Sequence, residues 1–459
     1  MRSRIRVAAL TLATVMAMAL PVSASDAAQE PNGNNGGKDI VSTTENYVTA
    51  FYPIWFTHFQ TQVLPVPANE FIGPEKISPV YQAVVAINDD TLYASTPIDV
   101  RGHEVVVDVP ATSAGYSVLL LDAWGNVHPV GIPSKGANVP TPDTTYSLIG
   151  PGYTGPITGE VTVPLPMDQM ILIFRVDKYS GGMNMTTEAT TFRHDLAIDG
   201  VGTAVKPVAE FGAPVKTLAD LLIRTAPIDF LTQLQTAVAS DWTPALTQQE
   251  AKLSDDFDAL FGDGMGLTAS ERQQFADGAK SAHDAIINNY LDNRGATNWT
   301  HFTNIGLWKK KVLDRASITE FCQYCNTKET AAYYHAFYDG SGAALTGSRP
   351  DGYVLTFPPG ATPEASRFWS LTAYTPDAIQ PIPNPIDKYL VASYTEGLQT
   401  NADGSISIYI SRTQPDGVAT ANWLPVGDRE FNLMLRVYGV VPKSNIAKDK
   451  YIPPAIMPR

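Results

Sequence analysis

Val85-Ala86-Ile87-Asn88-Asp89-Asp90-Thr91-Leu92-Tyr93 changes character at its centre: three apolar residues, then three Asx residues, then a β-branched residue opening an apolar and aromatic run. Asx side chains bond their own backbone and so end one element and start the next, whereas a run such as Leu92 to Ser95 suits a strand. The stretch therefore reads as a turn feeding a strand. The same grammar continues downstream, with short β-runs at Glu104 to Val109, Tyr116 to Trp124, Glu160 to Leu165 and Met170 to Asp177, punctuated by Gly, Pro, Asn and Asp. A first β-sandwich is expected over 80–215.

Outward from there the period changes. Residues 216–340 carry apolar residues at helical spacing, as in Leu218-Leu221-Leu222, Phe230-Leu231-Leu234-Val238 and Phe257-Leu260-Phe261, with helix starts at Thr247 and Ser270. Strand patterning resumes with Tyr353 to Phe357, Phe368 to Tyr374, Ser405 to Ser411 and Phe431 to Val440, which predicts a second sandwich over 341–459. Residues 44–79 open with an aromatic-rich helical pattern and form a helical lead-in. The fold class expected is thus β-rich, multidomain and α+β: two β-sandwich or jelly-roll-like modules separated by a mainly helical segment. The modules are weakly alike, since VVVDVP (105–110) then YSVLLLDAW matches YVLTFP (353–358) then FWSLTAY, and ILIFRV (171–176) matches LMLRV (433–437).

Arg2, Arg4 and Arg6 precede a largely apolar run from Val7 to Leu20, then Pro21 and Val22-Ser23-Ala24, the pattern of an export signal cleaved after residue 24. Residues 25–43 read as a flexible leader. The expectation is export to the periplasm or extracellular space, without a permanent membrane anchor, because the run is shorter than the ~20 residues a spanning helix needs. With 46 acidic against 32 basic side chains, the chain disfavours nucleic acid as a partner. The basic cluster Lys309-Lys310-Lys311 reads as a solvated helix face.

Asp89 and Asp90 are the candidate catalytic residues. Adjacent carboxylates can serve as general acid and base, or ligate a divalent cation, if a turn brings both to one side. Their other reading is structural, with both spent on backbone amides at the head of the strand. Arg175 and Arg436 stand in apolar strands, where arginine needs an ion pair or an anionic ligand; Asp89, Asp90, Asp122 and Asp387 are the partners considered. The seven histidines have no metal-ligand spacing, so no metal site is expected, and with no phosphate loop, dinucleotide fingerprint or serine-hydrolase elbow no cofactor is expected either. Cys322 and Cys325, the only cysteines, are expected to form a local disulfide at a helix end.

Several motifs in order carry a family resemblance. They are the Asn88 to Tyr93 run, Tyr116 with Leu119-Leu120-Leu121-Asp122, Phe174-Arg175, Phe368-Trp369-Ser370-Leu371, Asn384-Pro385, Asn422-Trp423-Leu424-Pro425 and Arg436-Val437-Tyr438-Gly439. With them the chain resembles the paired domains of unknown function twelve-fifty-four, in the N-terminal half, and twelve-fourteen, in the C-terminal half. The resemblance implies the two-module architecture and no activity. The function expected is an exported protein that binds, or hydrolyses, a glycan or other small polar ligand in a groove between the modules, with Asn88, Tyr93, Arg175, Trp369, Asn422, Trp423 and Arg436 as ligand-binding candidates. The alternative is a non-catalytic envelope or cell-surface interaction protein.

Overall fold

Burial alternates residue by residue along Val105–Val109 and again along Tyr353–Phe357, each strand sending its odd-numbered side chains inward. That period-two pattern is what a strand with one solvated face requires. The computed structural model describes residues 39–63, 67–77, 85–136, 141–205 and 215–459, so the expected export signal and most of the leader lie outside the described residues.

In the first sandwich one sheet runs Ala204–Val205, Ile72–Gly73, Thr91–Asp99, Gln169–Asp177, Tyr116–Leu121, Val127–His128. The facing sheet runs Val201–Gly202, Ala197–Ile198, Val105–Val109, Thr144–Ile149, Val161–Pro164. Leu92, Ala94, Leu172 and Phe174 from one sheet and Val105, Val107 and Leu148 from the other share a core. The second sandwich places Trp299–Thr300, Ala331–Ala336, Asn432–Val440, Ala365–Tyr374, Leu390–Ala392 over Trp423–Pro425, Ile406–Ser411, Tyr353–Phe357, Met457–Pro458.

The two sandwiches share their wiring. In each, the first long strand pairs antiparallel with the last, and the last pairs antiparallel with a strand from mid-module. In each facing sheet an antiparallel pair is extended by a parallel neighbour: Val105–Val109, Thr144–Ile149 and Val161–Pro164 correspond to Tyr353–Phe357, Ile406–Ser411 and Trp423–Pro425. Identical order, direction and pairing make the modules topological copies of one another.

Seven α-helices are described: α1 Ile40–His58, α2 Thr186–Asp195, α3 Val215–Thr225, α4 Pro227–Val238, α5 Gln248–Phe261, α6 Ala269–Asp292 and α7 Val312–Cys322. Helix α1 starts at Asp39, whose carboxylate accepts from Ser42 N at 3.0 Å. Capping boxes at Thr247/Glu250 and Thr268/Glu271 start α5 and α6, the second two residues ahead of the expected Ser270. Tyr47, Phe51, Trp55 and Phe56 of α1 are fully or almost fully buried among residues of α3 to α7. The lead-in is therefore the central helix of the bundle that residues 216–340 complete. Ala331–Ala336, within that stretch, is a strand of the second sandwich. Lys309 to Lys311 stand in the turn ahead of α7 rather than on a helix face, and two of them line a cleft of about 660 Å³ with Lys252, Asp256, Asn289 and Asp314.

A candidate binding site at the junction of the two modules

In the long-strand sheet of each sandwich, alternate side chains enter the sandwich core and the others face out. Out of the second module come Tyr333, His335, Ser370, Thr372, Arg436 and Tyr438, all buried. On this polar face docks the Asn88-Asp89-Asp90 turn of the first module. Asn88 Oδ1 accepts from Asp90 N, Thr91 N and Thr91 Oγ1, which builds the turn, and its Nδ2 donates to Tyr438 Oη at 2.7 Å. Asp90 is fully buried and accepts from Ser370 Oγ at 2.6 Å and from Tyr394 Oη. Burial pushes the Asp90 carboxyl above its ordinary range, and the two hydroxyls and Arg436 offset only part of that. Alongside, buried Asp177 holds Arg367 across the same junction in a bidentate pair.

The two arginines occupy matching places. Arg175 stands across from Tyr93 on one neighbouring strand and Ser117 on the other; Arg436 stands across from Tyr333 and Ser370. Each reaches into the other module's approach to its first long strand. Arg436 Nη2 donates to Ala86 O at 2.5 Å, and Arg175 Nη2 donates to Tyr324 O at 2.6 Å. Both acceptors belong to non-glycine residues in the left-handed region, Ala86 at φ 56° and Tyr324 at φ 60°, and an asparagine follows two residues later in each case. The junction is a reciprocal exchange, each module's arginine holding a carbonyl in the other's approach segment.

Its halves are not equally satisfied. Ser370 Oγ is spent on Asp90, whereas buried Ser117 Oγ makes no hydrogen bond. Asn88 uses both ends of its amide, whereas Asn326 accepts from Arg175 Nη1 at 3.0 Å but its buried Nδ2 has no partner. Among the described residues neither guanidinium is within ion-pair distance of a carboxylate, contrary to the ion pairs expected for them. Arg436 nonetheless feels the charge of Asp90 nearby. Where Asn88 is followed by two aspartates, Asn326 is followed by Thr327 and Lys328.

The remaining candidates separate. Asp89 lies in a bend, as joint action would require, but its partner is Lys178 at 2.6 Å while Asp90 faces the other module. The Asp89 carboxyl is raised by burial, which the Lys178 charge opposes. Tyr93 lies under the Arg175 guanidinium, 5.5 Å from ring centroid to Cζ. Trp369 is in the second sandwich core, against Phe357. Asn422 fixes the Gln399 to Ser407 loop through Gln399 N, Gln399 O and Ser407 O, and Trp423 Nε1 donates to Ser411 O. Cys322 and Cys325 are joined, and the small ring they close contains Tyr324, whose carbonyl Arg175 engages.

Residues 68–200 match the family described as "Protein of unknown function (DUF1254)" and residues 330–443 match "Protein of unknown function (DUF1214)". The chain pairs these two domains. Their signature residues, Asn88 to Tyr93 on one side and Ser370, Arg436 and Tyr438 on the other, meet at the junction, which gives the DUF1254–DUF1214 pairing a physical basis. No curated protein matches the chain. The crystal structure of the VPA0106 protein from Vibrio parahaemolyticus is 19% identical, covers 91% of this chain and 99% of its own, and superposes with a TM-score of 0.56, a likeness of fold. An uncharacterized protein from Burkholderia cenocepacia is 14% identical over 92% of this chain and 94% of its own, with a TM-score of 0.44.

One cluster in the paired-domain chain escaped the sequence reading. Lys216 and Asp220 of α3, His283 of α6, Glu320 of α7 and Tyr52 of α1 converge inside the helical bundle, all buried. Burial alone would lower the His283 imidazolium, but hydrogen bonds and charge from Asp220 and Glu320 outweigh it and raise it to about 9. Burial likewise works against the Glu320 carboxylate, yet Lys216 and His283 hold its pKa well below the ordinary range. Only the Lys216–Asp220 spacing was visible in the sequence, and on its own that looks like a surface i,i+4 pair.

Proposed function

We propose that this protein is exported and binds a small carboxylate-bearing ligand, an acidic sugar or similar polar acid, in the Arg175 half of the junction, without hydrolysing it. The observation that carries the reading is the pair of buried, unpartnered groups beside Arg175, Ser117 Oγ and Asn326 Nδ2. In the Arg436 half the equivalent serine and asparagine are both used, and a carboxylate, Asp90, is what the serine binds. A ligand carboxylate accepting from Ser117, Asn326 and Arg175 supplies to the first half what Asp90 supplies to the second. Hydrolysis is not part of the proposal, because both carboxylates are already committed, Asp89 to Lys178 and Asp90 to Ser370 and Tyr394. The Cys322–Cys325 disulfide supports an oxidising compartment, hence export.

Thermal-shift screening against uronates, aldonates and other small acids, each beside its neutral amide or alcohol, tests the reading. An acid should raise Tm where its neutral counterpart does not, and Arg175→Met and Asn326→Ala should abolish the shift. If neutral and acidic ligands behave alike, or Arg175→Met still responds, the reading is wrong.

A further inference from the structure

In the helical cluster each carboxylate has one oxygen oriented by a donor and the other turned to a common point. Asp220 Oδ2 accepts from Lys216 Nζ at 2.8 Å, and Glu320 Oε2 accepts from Tyr52 Oη at 2.6 Å. The second oxygens, Asp220 Oδ1 and Glu320 Oε1, lie 3.1 Å and 3.8 Å from His283 Nε2, and the three atoms are within 4.8 Å of one another. All three belong to buried residues and are held by ion-pair contacts among themselves and with Lys216, rather than by hydrogen bonds of good angular geometry. Ligand atoms around a tetrahedral zinc ion at its usual bond lengths stand about 3.3 Å apart, which these separations bracket.

We infer that Asp220 Oδ1, His283 Nε2 and Glu320 Oε1 form a binding site for a divalent transition-metal ion of the zinc or manganese class. One imidazole and two carboxylates are a borderline donor set suited to those ions. Tyr52 orients Glu320 from outside through its far oxygen, the role that partners behind metal ligands commonly play. The Lys216 ammonium also stands 2.6 Å from Glu320 Oε1, so the metal displaces that contact together with the proton that His283 Nε2 holds between the two carboxylates. With four helices contributing and no ligand exposed by more than a tenth, the ion enters as the bundle assembles rather than afterwards.

The experiment refolds the full chain from denaturant with Zn²⁺, with Mn²⁺ or with EDTA, desalts it, and measures bound metal by mass spectrometry alongside Tm. Wild type should retain one metal per chain and melt higher than the EDTA-refolded sample. His283→Gln should lose the metal, while Lys216→Met, freed of the competing ammonium, should retain it at least tenfold more tightly. Should Lys216→Met fail to fold with EDTA, added Zn²⁺ is expected to rescue it. Absence of retained metal in both wild type and Lys216→Met overturns the site, and so does His283→Gln retaining as much as wild type.

Discussion

The Arg175 and Arg436 halves of the junction are built on one plan and finished differently. In the Arg436 half the first module's own carboxylate, Asp90, completes the network, and both ends of the Asn88 amide and both Asp90 carboxylate oxygens are engaged. In the Arg175 half a disulfide ring holds the carbonyl that the arginine grips, while a serine and an amide beside it remain without partners. Low-dielectric interiors make such groups expensive, so a protein retains them where something else will bond them. Two halves of matching topology thus differ in that one is completed by a carboxylate of the chain itself.

The sharpest way to break the comparison is to cut the ion pair that holds both halves together. Arg367→Ala leaves Asp177 buried and alone, and should cost about 3–5 kcal/mol in urea unfolding, with both modules loosening together. Next comes a matched pair. Ser370→Ala removes a hydroxyl that Asp90 needs and should destabilise by about 1–3 kcal/mol, whereas Ser117→Ala removes one that bonds nothing and should leave stability within about 0.5 kcal/mol or improve it. Equal losses at the two serines would show that the halves do not differ as described.

An acid-dependent difference follows from His335, which lies two residues beyond Tyr333 where the other module has Ser95. Its Nε2–H donates to Asn432 Oδ1 and its Nδ1 accepts from Tyr290 Oη, so it is neutral, and burial with help from the Arg436 charge lowers its pKa to about 3. The unfolded chain takes up a proton near the ordinary histidine value of 6.5 while the folded one does not. His335 therefore removes stability as pH falls from about 6.5 towards 3. Denaturation midpoints of His335→Gln should show a shallower acid slope over that window. Smallest of all, Cys322→Ser with Cys325→Ser should cost about 1 kcal/mol or less because the closed loop is short. Carboxylate binding should nonetheless fall, since the ring presents the Tyr324 carbonyl; unchanged binding would detach the disulfide from the site.

Val105–Val109 and Tyr353–Phe357 were legible because one face is wet and the pattern alternates, whereas Tyr116–Leu121, Gln169–Asp177 and Asn432–Val440, buried on both faces, were legible as apolar runs bounded by turn residues. Ala331–Ala336 was not, because it is buried on both faces and rich in alanine, which removes the alternation. At the junction, Asn88, Asp90, Arg175 and Arg436 stood out as polar residues in apolar surroundings. Ser117, Ser370 and Asn326 did not, because small polar residues are ordinary in strands and turns, and only pairing across strands gives them meaning. Trp369, Asn422 and Trp423 belong to motifs of the same family yet serve the second sandwich itself, so a motif alone does not separate a site from a scaffold.

Helix α1 sets an order of events for the growing chain. Its aromatic residues leave the ribosome first, but the helices that cover them begin only at Val215 and are complete only at Cys322. For most of synthesis Tyr47, Phe51, Trp55 and Phe56 are an uncovered apolar ridge, the kind of surface that chaperones hold and proteases find. Any truncation that stops short of α7 strands that ridge permanently. Tolerance to shortening should therefore be lost not where the first sandwich ends but where the last helix of the bundle does.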